Sequence, residues 1–288
     1  MGIRDPTLSY TGRGRPLHLS KVLSEHKRWE SMPNRREPLT KKMLLWIISL
    51  AHTHPAHSAI PALADWCILA IHFGFRLAEF IQTQENIAKH TIPMNIDNLP
   101  QAFIAADVNF FDNTKNRVYP DHSTTADHSI VGGFSLRWRY QKNQQNGEIK
   151  LMTRNNTTPQ FCTVRAMLRI FHRARLRNIK HNQPLAIYHR ADGKFQYLSH
   201  KQMESLIRRA ALKVYNLHKK EDLSRFSCHS LRVGACVLLH LAGFSAESIQ
   251  FELRWRSDSF KDYLRNILNI AAKKSRALQD FDPDTIEF

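Results

Sequence analysis

Apolar residues recur at helical spacing in two segments of the first third of the chain. Thr40 is a suitable N-cap, and the apolar positions within residues 43–51 follow at intervals of three and four, which predicts a helix. A loop that ends at Pro61 separates it from a second, strongly apolar helix over residues 62–73. Gly74 follows the last apolar position, where a glycine commonly ends a helix.

The middle of the chain alternates instead between apolar and polar positions, which is typical of half-buried strands. Residues 102–111 and 134–140 show this pattern, with a polar loop over 119–133 between them. A polar turn over residues 143–147 then leads to a short apolar segment at 149–152. We therefore expect the last two strands to form an antiparallel hairpin.

The C-terminal half returns to helical spacing. Ser245 is a suitable N-cap, and Gly243 stands just past the preceding predicted helix. The predicted helices cover residues 162–177, 199–217, 230–241, 245–253 and 257–274. The pattern as a whole predicts an α+β fold, mostly α, with a small antiparallel sheet packed among helices.

The excess of basic residues narrows the range of possible binding partners. Lys and Arg number 42 against 25 Asp and Glu, a formal net charge of +17, which favours a polyanionic partner, nucleic acid before an anionic membrane. The four cysteines are dispersed without a C-x-x-C pair, so we expect a reducing, intracellular setting and neither disulfides nor a zinc finger. No apolar stretch is long enough to predict a membrane span, and the N-terminus has no apolar run typical of a secretion signal.

Two segments carry residues suited to binding a phosphate. Arg76 follows the break at Gly74, and Glu79 comes three positions later, on the same helical face. His229 and Arg232 are also three apart, so both can reach one phosphate from the exposed N-terminal end of a helix, which anions favour. Taken alone, the first segment also fits an ordinary surface ion pair between Arg76 and Glu79. The second also fits a histidine that caps a core helix.

A third segment, residues 254–265, contains Trp255 and Tyr263. Taken alone, Tyr263 fits the core face of an amphipathic helix. In their order along the chain, the three segments resemble the tyrosine recombinase or phage integrase family. Its pattern is Gly-x-Arg-x-x-Glu, a lysine on a β-hairpin, His-x-x-Arg, His or Trp, and a nucleophilic Tyr. The resemblance covers about residues 38–275 and implies an integrase-like catalytic domain.

The resemblance implies DNA strand breakage and rejoining through a 3′-phosphotyrosine. Arg76 and Arg232 would clamp the scissile phosphate, because a planar guanidinium binds two phosphate oxygens. Tyr263 would attack phosphorus and hold the 3′ phosphate. Glu79 would support the site beside Arg76.

Proton transfer would use the remaining positions of the pattern. His229 would assist it, and Trp255 would donate through its indole N–H in the place of a second histidine. The predicted hairpin supplies Lys142, at the start of the turn, as the acid for the leaving oxygen. Lys150, on the following strand, is the alternative lysine.

The interval between Trp255 and Tyr263 is shorter than in many family members and is similar to that of eukaryotic mobile-element recombinases of DIRS and Crypton type. By this resemblance, residues 1–37 are a basic arm or linker that remains of a core-binding domain. Residues 38–275 are the catalytic domain, and residues 276–288 are a C-terminal tail.

Three functions stay open at this level: site-specific recombination or integration, relaxation of DNA in the manner of a type IB topoisomerase, and DNA binding by a relic without catalysis. The first implies double-stranded DNA as partner and a homotetramer assembled on it. It implies no cofactor, metal, membrane or small-molecule substrate. We expect an intracellular protein, nuclear if the source is eukaryotic.

Overall fold

The computed structural model describes residues 36–81, 99–121, 125–126, 128–141, 146–255 and 257–264. Every described residue belongs to one compact unit, which begins at residue 36. This unit is α+β and mostly helical, with small antiparallel sheets, so the predicted fold class is confirmed. The domain boundaries at residues 37 and 275 stay predictions.

Most of the described helices begin and end within about three residues of the predicted bounds, but the short helix Lys220–Ser224 was not predicted. Of the helix predicted over residues 257–274, only Lys261–Leu264 is described as a helix, and residues 265–274 lie outside the described residues. The described helices are α1 (Lys41–His52), α2 (Ala59–Phe73), α3 (Thr163–Arg175), α4 (His200–Tyr215), α5 (Lys220–Ser224), α6 (His229–Leu241), α7 (Ala246–Glu252) and α8 (Lys261–Leu264). Thr40 caps α1 as predicted, its hydroxyl accepting from the Met43 backbone N–H at 3.3 Å. Pro61 is not in a loop but in the first turn of α2, where a helix does not need its missing N–H.

The strands form two antiparallel sheets. β1 (Val108–Phe111), β2 (Arg117–Val118), β3 (Gly133–Arg137) and β4 (Ile149–Thr153) are ordered β2-β1-β3-β4, and β5 (Ile187–His189) pairs with β6 (Phe195–Tyr197). The predicted hairpin is confirmed, with Leu136 opposite Lys150. The strand predicted over residues 102–111 is wrong in its first half, because Ala105–Asp107 is a single 3₁₀ turn.

The core centres on α2, which is buried along most of its length and packs against α1, α3 and α6. An aromatic cluster continues it towards the sheet. The Phe73 and Phe75 rings stack with centroids 5.2 Å apart, and Trp138, just after β3, lies 5.9 Å from Phe75. This cluster supports the chain on both sides of Gly74 and so fixes the position of Arg76.

In the part of the chain that the structure describes, no helix is both long and apolar enough to cross a membrane.

Three histidines pack together where the loop between α1 and α2 meets β5. The His57 ring centroid lies 5.4 Å from that of His172 and 5.1 Å from that of His189. Burial, reinforced by the charges of His189, Arg173, His172 and Arg177, lowers the pKa of His57 to about 4. The folded protein therefore holds His57 neutral at a pH where the unfolded chain protonates it.

We expect this histidine to make the fold acid-sensitive. The stability contributed by neutral His57 is fully present above pH 6.5 and is lost as the pH falls towards 4. His57→Gln should reduce the drop in Tm between pH 7 and pH 5 by about 2–4 °C, the equivalent of about 1 kcal/mol for a partly exposed group. Thermal unfolding monitored by circular dichroism at both pH values measures this. The exposed His52→Gln variant should behave as wild type, and an unchanged pH profile in His57→Gln would contradict the assignment.

Candidate active site

A cleft of about 610 Å³ brings most of the predicted site residues together. Its walls come from the turn after α2, the start of α4, the start of α6 and the segment after α7. The predicted residues that line it are Arg76, His229, Arg232 and Trp255. Among the described residues, no group of three or more His, Cys, Asp or Glu is placed to hold a metal ion.

The first wall depends on Gly74 and Glu79. Gly74 ends α2 with φ 59°, a left-handed conformation that favours glycine, and a Cβ there would lie 2.5 Å from Leu253 Cδ2. Arg76 and Glu79 were expected on one helical face, and the turn that carries them is a single 3₁₀ turn, Leu77–Glu79. Glu79 Oε2 accepts from the Arg76 backbone N–H at 3.0 Å, and Glu79 Oε1 lies 3.4 Å from Arg76 Nη1. The carboxylate thus orients Arg76, whose side chain stays 23% exposed.

Arg232 is buried, not at an exposed helix end as its sequence position predicted. It is 4% exposed, because α6 packs into the core along the turn that carries it. Its guanidinium donates to the backbone carbonyls of Gly74, Leu253 and Arg254. Burial, together with the charges of Arg76 and Arg254, lowers its pKa to about 9. An anion in the cleft would relieve this strain between like charges.

His229, Trp255 and Tyr263 form an aromatic group over Arg232. His229 Nε2 lies 3.2 Å from the Tyr263 hydroxyl, at hydrogen-bond distance. The Trp255 ring is 6.2 Å from both other rings by centroid, and the Arg232 guanidinium carbon lies 4.6 Å from its centre. Burial lowers the pKa of His229, and the charges of Arg232 and Arg36 lower it further, so the imidazole is neutral near pH 7.

Trp255 also has a donor that is not used within the described residues. Its Nε1 is buried and has no hydrogen-bond partner there. A buried N–H without a partner costs stability, so such groups in native proteins commonly meet water or a ligand. The cleft beside it is large enough for either.

Of the two candidate lysines, the structure describes only Lys150. Lys142 lies outside the described residues. Lys150 is on β4, and its ammonium contacts the Glu252 carboxylate at 2.8 Å as well as the Glu252 carbonyl. A second carboxylate, that of Glu148, is 3.7 Å away. Lys150 is therefore held at the end of α7 by two acidic side chains.

Two buried residues near the cleft had no predicted role. Arg254, directly before Trp255, is 2% exposed, and its Nη2 donates to Glu79 Oε2 at 3.1 Å. Trp138 donates through Nε1 to the same oxygen, also at 3.1 Å. The spacing of the motif gives no signal for either residue, because their common partner is distant in sequence.

Solved structures with a similar fold include an integrase and a site-specific recombinase. The Tn1549 transposon integrase, in complex with transposon right-end DNA, is 12% identical over 90% of this chain and 70% of that chain, with a TM-score of 0.43. The XerH site-specific recombinase, bound to its difH substrate in a pre-cleavage complex, is 11% identical over 92% of this chain and 67% of that chain, with a TM-score of 0.44. At these identities the likeness to both proteins is one of fold alone. No family model and no curated protein matches the sequence.

Proposed function

We propose that this chain breaks and rejoins DNA strands through a covalent 3′-phosphotyrosine at Tyr263. One observation carries the proposal: the Tyr263 hydroxyl lies 3.2 Å from the neutral imidazole of His229. His229 lines the same cleft as two guanidinium groups, those of Arg76 and Arg232. A hydroxyl next to a proton acceptor, with cationic donors around it, is the arrangement that nucleophilic attack on a phosphodiester requires.

The arginines would act on the phosphate. Arg76 is the partly exposed one, so its fork can contact the non-bridging oxygens directly. Arg232 is fixed by backbone carbonyls and would act mainly as a buried positive charge. Since negative charge on these oxygens grows in the transition state, fixed cations lower its free energy more than that of the bound substrate.

The proton balance uses neighbouring groups. His229 would take the Tyr263 proton as the Tyr263 oxygen forms its bond to phosphorus. The bond from phosphorus to the 5′ oxygen breaks, and that oxygen takes a proton from an acid, for which Lys142 is our candidate. A 5′ hydroxyl then reverses these steps and rejoins a strand. Because the phosphotyrosine retains the energy of the phosphodiester, the cycle needs no nucleotide cofactor.

Trapping the covalent intermediate tests the proposal. Nicked half-site duplexes drawn from a randomised pool would be incubated with the protein in EDTA and analysed on a denaturing gel. A protein–DNA adduct, with the nucleotide located by mass spectrometry on the peptide that contains Tyr263, is the expected result. Salt-sensitive DNA binding without any adduct would instead support a non-catalytic relic. Relaxation of supercoiled plasmid without exchange between sites would support the topoisomerase alternative.

A second prediction concerns the indole N–H of Trp255 and its effect on the rate of adduct formation. Trp255→Phe keeps an aromatic ring but removes the Nε1 donor, and we expect adduct formation at saturating DNA to slow by about 10–100-fold, the effect of losing one transition-state donor. Trp255→His supplies a ring N–H again and should recover part of the rate. Equal rates for the phenylalanine variant and the wild type would show that the indole N–H does not serve the reaction.

A further inference from the structure

Arg254 is anchored in the wall of the cleft from two directions. Its guanidinium carbon lies 4.1 Å from the centre of the Trp138 ring, and its Nη2 donates to Glu79 Oε2 at 3.1 Å. Trp138 donates to the same oxygen, so the carboxylate, the indole and the guanidinium form one buried group. A guanidinium that lies on an aromatic face and also contacts a carboxylate has little freedom to move.

The backbone of Arg254 is unusual as well. Its φ is 55°, in the left-handed region that non-glycine residues rarely adopt and that is retained only where surrounding contacts impose it. In this conformation its carbonyl accepts from Arg76 Nη2 at 3.1 Å and from Arg232 Nη2 at 3.3 Å. The two guanidinium groups proposed to act on the phosphate thus share one acceptor.

The shared carbonyl reduces the electrostatic repulsion between the Arg76 and Arg232 guanidinium groups. Two guanidinium groups that approach one point repel each other, and the carbonyl dipole between them offsets part of that repulsion. Burial is the main cause of the depressed pKa of Arg232, and the charges of Arg76 and Arg254 lower that pKa further, so some repulsion between these groups remains. The distance between the guanidinium groups is therefore sensitive to where the Arg254 carbonyl lies.

We propose that Arg254 is a positioning residue for strand cleavage: its side chain, held by Glu79 and Trp138, fixes the backbone carbonyl that sets the spacing of Arg76 and Arg232. The inference rests on the proposed function. Arg254 itself need not touch the DNA, because it acts through the two arginines. Misplacement of a reacting group by about 1 Å can slow a reaction about 100-fold, so a small shift of this carbonyl has a large effect.

Arg254→Gly tests the inference, because glycine adopts a positive φ without strain and only the side chain is lost. Adduct formation would be measured against DNA concentration with the full chain. We expect the rate at saturating DNA to fall about 100-fold, while the DNA concentration that gives half the maximal rate stays within about twofold of wild type. Arg209→Ala is the matched control, since Arg209 also lies over a tryptophan, 5.7 Å from the centre of the Trp46 ring, but outside the cleft.

The possible results distinguish failure of the positioning role of Arg254 from failure of the proposed function. A folded Arg254→Gly variant that cleaves at the wild-type maximal rate overturns the proposal, as does a loss confined to weaker DNA binding. If that variant does not fold, Arg254→Lys decides: it keeps a cation for Glu79 but loses the planar contact with Trp138, and a wild-type maximal rate in it overturns the proposal. Absence of adduct in the wild-type protein would instead overturn the proposed function itself.

Discussion

Tyr263→Phe should abolish the covalent protein–DNA adduct, lowering its rate of formation at saturating DNA by about 10³-fold or more. The substitution removes one oxygen and keeps the ring, which packs 5.9 Å from the His229 ring and 6.2 Å from the Trp255 ring by centroid. The fold and the cationic wall of the cleft should therefore persist. Denaturing gels of half-site reactions measure the adduct, and titration of labelled duplex measures binding, which should change by less than about twofold.

Tyr188→Phe is the matched control for this experiment. Tyr188 is also partly buried, and its hydroxyl donates to Gln196 Oε1 at 2.6 Å, on the hairpin of β5 and β6. The Tyr188 hydroxyl bonds to Gln196 and not to a proposed catalytic residue, so this variant should form adduct at the wild-type rate. Adduct that persists in Tyr263→Phe would mean that another residue is the nucleophile. Loss of adduct in both variants would indicate a general effect of removing a tyrosine hydroxyl.

The sequence predicted the parts of the site that local spacing determines. His229 and Arg232 share one helical turn, and the contact between Arg76 and Glu79 spans three positions, so both pairs can be derived from neighbouring residues. That Arg232 is buried could not be derived in this way. Its burial depends on carbonyls of Gly74 and Leu253, which tertiary packing brings to it.

The positions that sequence reasoning missed have two different causes. Arg254 and its partner Trp138 meet at Glu79 across long intervals of sequence, and no periodicity encodes a left-handed φ at an arginine. The hairpin of β5 and β6 is different, because its turn contains Asp192 and Gly193, the latter with φ 79°. Asp-Gly between alternating segments is a strong hairpin signal, so this element was predictable.

Asp65→Asn should lower the free energy of unfolding by about 3–5 kcal/mol, or the Tm by roughly 10 °C. Asp65 lies on α2 and is 2% exposed, and its carboxylate accepts from Arg173 on α3, whose side chain is also 2% exposed. Burial lowers the pKa of Arg173, and Asp65 opposes that effect. The amide would leave a buried guanidinium without its counter-charge, a far larger cost than the loss of one hydrogen bond. Urea and thermal unfolding measure the change.

Two further variants determine whether the buried charge is the cause. Arg169 contacts the same carboxylate at 2.6 Å, but its side chain is 39% exposed, so Arg169→Ala should cost less than about 1 kcal/mol. Combining Asp65→Leu with Arg173→Met removes both charges and fills the space with apolar groups. Because buried ion pairs can be replaced by apolar side chains at little cost, this double variant should recover most of the stability lost in Asp65→Asn. If the double variant were as unstable as Asp65→Asn, the unbalanced charge would not explain the loss of stability. The ion pair would then stabilise the packing of α2 against α3 through its own hydrogen bonds.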